Sequence, residues 1–265
     1  MKMLFFGHFS NPNSTNHSQA EAFERQRIQV ERKDFRENRI LPDGSFDIVF
    51  FSKCNEYGVE MVEKYKGAKR ILWYMDALNG NYSEALKEKI KLVELAVFAL
   101  HDPWKESFKL NSKSLLIEEG FDSEVDYPVK VAQNINVSFI GTLYDKKRKD
   151  YYNALNFRIL KTDRGNHNVA VGQSKINLNF TNGGTSDRAY KVMAAGGFLL
   201  SERWPGCPLV EDRDFVGFSN IEEAKRKIDH YLKNTEERMR IANNGFIAVQ
   251  QFSRDSWAER ICAAL

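Results

Sequence analysis

Ile176-Asn177-Leu178-Asn179-Phe180-Thr181-Asn182-Gly183-Gly184-Thr185-Ser186-Asp187-Arg188-Ala189-Tyr190-Lys191-Val192-Met193-Ala194-Ala195-Gly196-Gly197-Phe198-Leu199-Leu200 decides the fold. An apolar run of strand length enters a turn rich in Gly, Asn, Thr and Ser. Apolar positions at helical spacing follow, and a second strand-like run begins at Gly197. Strand, turn, helix and strand in this order are the repeating unit of a parallel sheet. In such a unit the free N–H groups at the helix start face the carboxyl ends of the strands, where the helix dipole favours negative charge. The turn therefore reads as an anion site. Gly183-Gly184 lets the backbone approach a ligand closely, and Arg188 and Lys191, three apart, share a helix face toward a diphosphate. The same residues also fit an ordinary helix start, with Ser186 or Asp187 as cap and two solvated cations.

The alternation extends outward from this segment. Upstream, 2–6, 47–52, 70–74, 95–100 and 114–117 are short apolar runs with β-branched or aromatic content. Segments 18–26, 55–66 and 82–92 have the length and apolar spacing of crossover helices. After Asp126-Tyr127-Pro128 a second series opens with Asn136-Val137-Ser138-Phe139-Ile140-Gly141, a strand ending in glycine, and continues with helices over 145–156 and 167–174. Helices over 221–233, 236–251 and 254–264 finish the chain. A chain of 265 residues suits two domains. The linker near 124–134 divides it into 1–128 and 129–265, the second part carrying the terminal helices. The expected class is α/β.

Composition excludes several classes. With 42% hydrophobic and 28% charged residues the chain is neither disordered nor fibrous. No apolar run approaches the roughly 20 residues of a spanning helix, so no membrane partner is expected. Cys54, Cys207 and Cys262 are odd in number and lack ligand spacing, which points to a reduced, cytoplasmic protein without a metal site. A net charge of +3 permits an anionic partner.

Over most of the chain, and most strongly from Ile176 to Phe252, the sequence resembles GT-B glycosyltransferases, that stretch their nucleotide-sugar domain, particularly in the CgeB-like branch of glycosyltransferase group 1. The resemblance rests on 175–180, 186–200, Asn220-Ile221-Glu222-Glu223-Ala224, Tyr231-Leu232 and Glu236-Glu237-Arg238-Met239-Arg240-Ile241-Ala242, taken in order and spacing. It implies two Rossmann-like domains facing across a cleft, an activated sugar bound mainly by the C-terminal one, the acceptor by the N-terminal one, and no metal or cofactor. By position Arg188 would hold the diphosphate, supported by Thr185 and Ser186, and Gly196-Gly197 would keep the backbone close to the ligand. Arg148 matches a basic position that faces the phosphates, while Lys146, Lys147 and Lys149 read as a solvated face. The family has a ribose-binding carboxylate where Lys191 stands, and a lysine cannot accept hydrogen bonds. Either another residue reads the ribose, with Glu211 or Asp212 as candidates, or Lys191 adds charge to the phosphate site, or activity is lost and the chain only binds nucleotide.

Glycosyl transfer with inversion needs a general base on the acceptor side. Asp76 is the first candidate and His8 the second, both at the carboxyl ends of expected strands; His101 and Asp102 hold similar positions. Trp73, Trp104, Trp204 and Trp257 read as packing residues, although Trp104 and Trp204 flank expected strand ends and could stack on a sugar or base. Arg25, Arg27, Arg32, Lys33, Arg36 and Arg39 form the densest basic run of the first domain, diluted by Glu24, Glu31, Asp34 and Glu37. It fits a solvated surface or a polyanion such as DNA. The compact size is similar to that of small virus-encoded glycosyltransferases that modify hydroxymethylated DNA bases, so DNA stands beside small-molecule and protein acceptors.

Overall fold

The computed structural model describes residues 1–34, 36, 40–53, 58–76, 83–181, 184 and 186–265. Its contacts group into two units, Met1–Glu119 together with Arg254–Leu265, and Gly120–Ser253.

The first unit contains β1 (Lys2–Gly7), α1 (Thr15–Arg25), β2 (Gln29–Asp34), β3 (Ile48–Ser52), α2 (Glu60–Lys64), β4 (Lys69–Tyr74), α3 (Glu84–Leu92), β5 (Leu95–Phe98), α4 (His101–Ser107) and β6 (Ser114–Leu116). Its strands form one parallel sheet in the order β2-β1-β3-β4-β5-β6. Side chains alternate across a strand, so an apolar run fills both faces of a parallel sheet. Leu4, Phe6, Val49 and Phe51 pack with Met61, Leu86 and Ile90 on one face. Met3, Phe5, Phe50 and Trp73 pack with Ala20 and Phe23 on the other.

The second unit contains β7 (Ile135–Ile140), α5 (Lys146–Leu155), β8 (Arg158–Leu160), α6 (His167–Gly172), β9 (Ser174–Asn179), α7 (Asp187–Ala194), β10 (Leu199–Glu202), β11 (Val216–Phe218), α8 (Ile221–Lys233) and α9 (Thr235–Val249). Its parallel order is β11-β10-β9-β7-β8. Phe139, Ile176, Leu178 and Leu200 pack with α5 and α8 through Tyr151 and Ile228. Ile140 and Leu199 pack with α6 and α7 through Val171, Ala189 and Met193.

The last helix, α10 (Arg254–Ala263), belongs to the first unit, which corrects the expected division into 1–128 and 129–265. Trp257 is buried, with ring centroids 5.2, 5.7 and 5.3 Å from Phe23, Phe50 and Trp73. Arg25 on α1 pairs with Asp255 at 2.6 Å. The periodicity of α10 marks an apolar face, but only the fold shows that this face covers the first sheet beside α1. Among the described residues no helix is long and apolar enough to cross a membrane.

In each sheet the first strand of the unit lies between the second and the third. Connections leave these neighbours in opposite directions, opening a crevice at the carboxyl ends of β1 and β3, and of β7 and β9.

Candidate functional site

The crevice of the second unit is spanned by Arg188 from the first turn of α7. Its Nε donates to the carbonyl of Ile140, the last residue of β7, at 2.5 Å, and Nη1 donates to Oδ1 of Asn179, the last residue of β9, at 3.1 Å. Asn179 is fully buried and donates through Nδ2 to Oγ of Ser201, its register partner on β10, at 2.9 Å. The guanidinium lies 4.8 Å from the ring centroid of Phe139. Backbone, amide and ring together fix the position of the cation. Gly141 takes φ +153 beside it; an added Cβ would stand 2.8 Å from the Phe139 ring and 3.2 Å from Nη2 of Arg188.

Arg148 joins this group. Its guanidinium is 5.5 Å from the Phe139 centroid and 4.2 Å from that of Tyr144, and Nη1 donates to the carbonyl of Thr142 at 3.1 Å. Asp145 caps α5 by accepting from the Arg148 amide at 2.7 Å. Ser186 takes the N-cap position of α7 with extended backbone, φ −91 and ψ 172. Lys191 pairs with Asp187 at 2.7 Å, one turn away on the same helix, both side chains partly buried. The two cations expected to meet one anion thus differ: Arg188 donates to a carbonyl and an amide oxygen, and Lys191 pairs with a carboxylate. Thr185, Asn182 and Gly183 lie outside the described residues.

At the matching end of the first sheet, the His8 amide donates to Oδ1 of Asn16 at 2.7 Å. Nε2 of the His8 ring is 3.2 Å from Nη1 of Arg36. Arginine only donates, so in this contact Nε2 is the acceptor. Asp34 is buried; burial pushes its carboxyl up, but the N–H groups of Ser10 and Arg36 outweigh this and hold it below its ordinary value. Asp76 pairs with Lys53 at 2.7 Å, an ammonium that Lys53 brings from the end of β3. His101 and Asp102 are 3.2 Å apart at the start of α4. His8 follows β1 and Asp76 follows β4, two strands away, which is about 10 Å at ordinary strand spacing.

The glycosyl transferase-like family matches residues 127–263, more than half of the chain. The chain belongs to that family. Glycosyltransferase structures share the fold. HepE (Alr3699) of Anabaena, solved with UDP and glucose, is 12% identical, with a TM-score of 0.74 over 99% of this chain and 98% of that one. An α1,3-fucosyltransferase solved with GDP is 14% identical, with a TM-score of 0.62 over 100% and 88%. AviGT4, a glycosyltransferase involved in avilamycin A biosynthesis, is 10% identical, with a TM-score of 0.63 over 100% and 96%. No curated protein sequence matches the chain.

Several residues of this glycosyltransferase stand elsewhere than expected. Gly196 and Gly197 follow the C-terminus of α7 and precede β10, at the end of the sheet away from Arg188. An added Cβ on Gly197 would meet Cγ1 of Val171 at 2.4 Å and the Val192 carbonyl at 3.0 Å, so close packing of α6 and α7 explains this glycine. Glu211 is clamped: Arg203 donates to it through Nη2 at 2.6 Å and Nε at 2.8 Å, and Lys227 stands 3.5 Å away. With Arg203 holding its charged form below the usual range, it is committed within the protein, and Asp212 beside it has φ +61.

Lys147, expected on a solvated face, donates to the carbonyl of Thr181 at 2.6 Å and to Glu202 at 2.9 Å. Glu202 ends β10, nearly buried, and also accepts from the Thr181 amide at 2.8 Å. Burial, then the Glu202 charge, pushes the Tyr151 hydroxyl up to about 12. Sequence reasoning missed Glu202, Asn179, Phe139 and Lys53. A polar residue ending an apolar strand was the available signal for Glu202 and Asn179. In the basic run, Arg25 pairs with Asp255 and Arg32 with Glu24, while Arg39 lies outside the described residues. Trp204 packs on Phe215 at 5.1 Å.

Proposed function

We propose that this glycosyltransferase moves a sugar from a nucleoside-diphosphate sugar to a hydroxyl acceptor, with the diphosphate held at the carboxyl ends of β7 and β9. The observation that carries the reading is Arg188, braced by Ile140 and Asn179 across the point where the strand order reverses. The bond between the anomeric carbon and the diphosphate oxygen breaks, and its electron pair leaves with the diphosphate. The acceptor oxygen bonds to the anomeric carbon and gives up its proton. Arg188 and the N–H groups of α7 meet the charge of the leaving group, which is the role a metal or cofactor would otherwise fill. Arg148 supports the site through the shared Phe139 ring. Asp76, oriented by its ion pair with Lys53, takes the proton, with His8 as the second choice.

Uridine and guanosine diphosphates, present in structures of similar fold, are the first donors to test. A thermal-shift screen of nucleoside diphosphates and their sugars compares the wild type with Arg188→Ala. A ligand at about 100 times its Kd stabilises the wild type by about 2.7 kcal/mol and the variant far less. A screen in which no nucleotide shifts the wild type overturns the reading.

The acceptor reading extends to a hydroxymethylated base in DNA, supported by the basic run around β2. Duplex binding that weakens steeply with salt, and Asp76→Asn activity lost on such DNA, are the expected results. Absent or salt-insensitive binding leaves a small-molecule or protein acceptor.

A further inference from the structure

A cavity of about 700 Å³ opens at the opposite end of the second sheet, where its strands begin. One wall is the segment 128–133 leading into β7, and another is the flank of α9 around Arg238. Gly172 and Gly196 shape the first wall. An added Cβ on Gly172 would stand 2.8 Å from Cγ2 of Val131, and Gly196, at φ +74, lets Pro128 approach within 3.5 Å of its Cβ position. A side chain at Gly172 would displace Val131, whereas at Gly196 it is the positive φ that favours glycine.

The walls carry Lys130, Lys175 and Arg238 and no carboxylate. Arg238 is only 4% exposed. It donates through Nη1 to the Tyr231 carbonyl in the last turn of α8, and through Nη2 to Oγ1 of Thr235 at 3.4 Å. Lys175 donates to the neutral Oδ1 of Asn136 at 2.9 Å. Among the described residues no carboxylate pairs with any of the three. A cation buried this deeply is costly without a counter-charge, and burial lowers the Arg238 pKa accordingly. The rest of the lining is largely apolar, with Val129, Val131, Phe198 and Phe246 inside and Met239, 58% exposed, at the mouth. The volume lies within the range of small-molecule sites.

We propose that this cavity is a second ligand site, separate from the donor site, that takes a small amphiphilic anion, its carboxylate or phosphate head among Lys130, Lys175 and Arg238 and its apolar body against Val129, Val131 and Phe198. The guanidinium fork suits either head group, and the apolar wall selects against a bare ion.

The test is isothermal titration of the whole chain with octanoate, octyl phosphate, octanol and inorganic phosphate. One of the two amphiphiles saturates at one per chain, and its head group identifies the anion. Octanol and inorganic phosphate bind at least about tenfold more weakly, a gap of about 1.4 kcal/mol. The surface double variant Lys130→Ala/Lys175→Ala weakens the amphiphile about tenfold, Val131→Trp blocks it by filling the cavity, and Arg188→Ala leaves it unchanged. The proposal is overturned if neither amphiphile saturates, if octanol binds as tightly, if both cavity variants bind like the wild type, or if Arg188→Ala abolishes binding.

Discussion

Nε of Arg188 donates to the main-chain carbonyl of Ile140 at 2.5 Å, so a cation carried by α7 is fixed by the last residue of β7. The bond uses the side chain's inner edge, and Nη1 donates to Oδ1 of Asn179 at 3.1 Å. A lysine keeps the charge but offers one compact ammonium in place of this fork. Arg188→Lys is expected to lower kcat/KM for sugar transfer by about 100-fold, or about 2.7 kcal/mol of transition-state stabilisation, with little change in melting temperature. Steady-state kinetics on the best donor measures it. Wild-type kinetics in the variant would show that charge alone suffices.

Asp187 and Lys191 form an ion pair of no net charge beside that site. On this reading Lys191 neutralises a carboxylate that would otherwise repel the diphosphate. Lys191→Met is expected to weaken nucleoside-diphosphate binding about tenfold, and Asp187→Asn/Lys191→Met to recover most of it, because removing both charges removes the repulsion. Additive losses in the double variant would instead give Lys191 a direct contact with the ligand.

The parallel architecture was legible because an apolar strand, a glycine-rich stretch and an amphipathic helix follow one another in 176–200. The edge strand β2 was not, since Gln29-Val30-Glu31-Arg32-Lys33-Asp34 lacks the apolar content of a buried strand and takes its conformation from pairing with β1. The short strands β8 and β11 offered three residues each, too few for periodicity. That Arg188 stands in the first turn of α7 was readable from the sequence. Its brace was not, because Asn179 and Ile140 are 9 and 48 residues away and meet it only once β7 and β9 are neighbours. The same limit hid Lys53 beside Asp76 and made Glu211 look available when Arg203 already holds it.

Gly197 separates packing from ligand contact. The nearest atoms to an added Cβ are Cγ1 of Val171 at 2.4 Å, Nδ2 of Asn177 at 3.0 Å and the Val192 carbonyl at 3.0 Å. The backbone oxygen cannot turn aside, so one methyl group forces α6 or α7 to shift. Gly197→Ala is expected to destabilise the chain by about 1–3 kcal/mol, the usual range for overpacking. Chemical denaturation measures this, and nucleotide affinity of the folded fraction stays within about twofold. Lost affinity at unchanged stability would return Gly197 to the ligand.

Glu223 gives the second unit an acid-sensitive clasp. Arg203 donates to both of its oxygens at 2.9 Å, and the Ser219 amide adds a bond at 2.8 Å. The Arg203 bonds come first among the causes that hold the carboxyl at about 2, against an ordinary 4.5. Because the folded value lies below the unfolded one, the group's stabilisation is complete above about pH 4.5 and is lost as pH falls through about 2. Glu211, lowered by the same arginine, acts in the same direction. The melting temperature of the wild type is therefore expected to fall between pH 5 and 2.5. Glu223→Gln has no proton to take up at this position, so it should melt lower at pH 6 but lose less over the same acid range, bringing the two curves together. Circular dichroism melts at half-unit intervals give both slopes, and parallel curves would show that Glu223 is not part of the acid response.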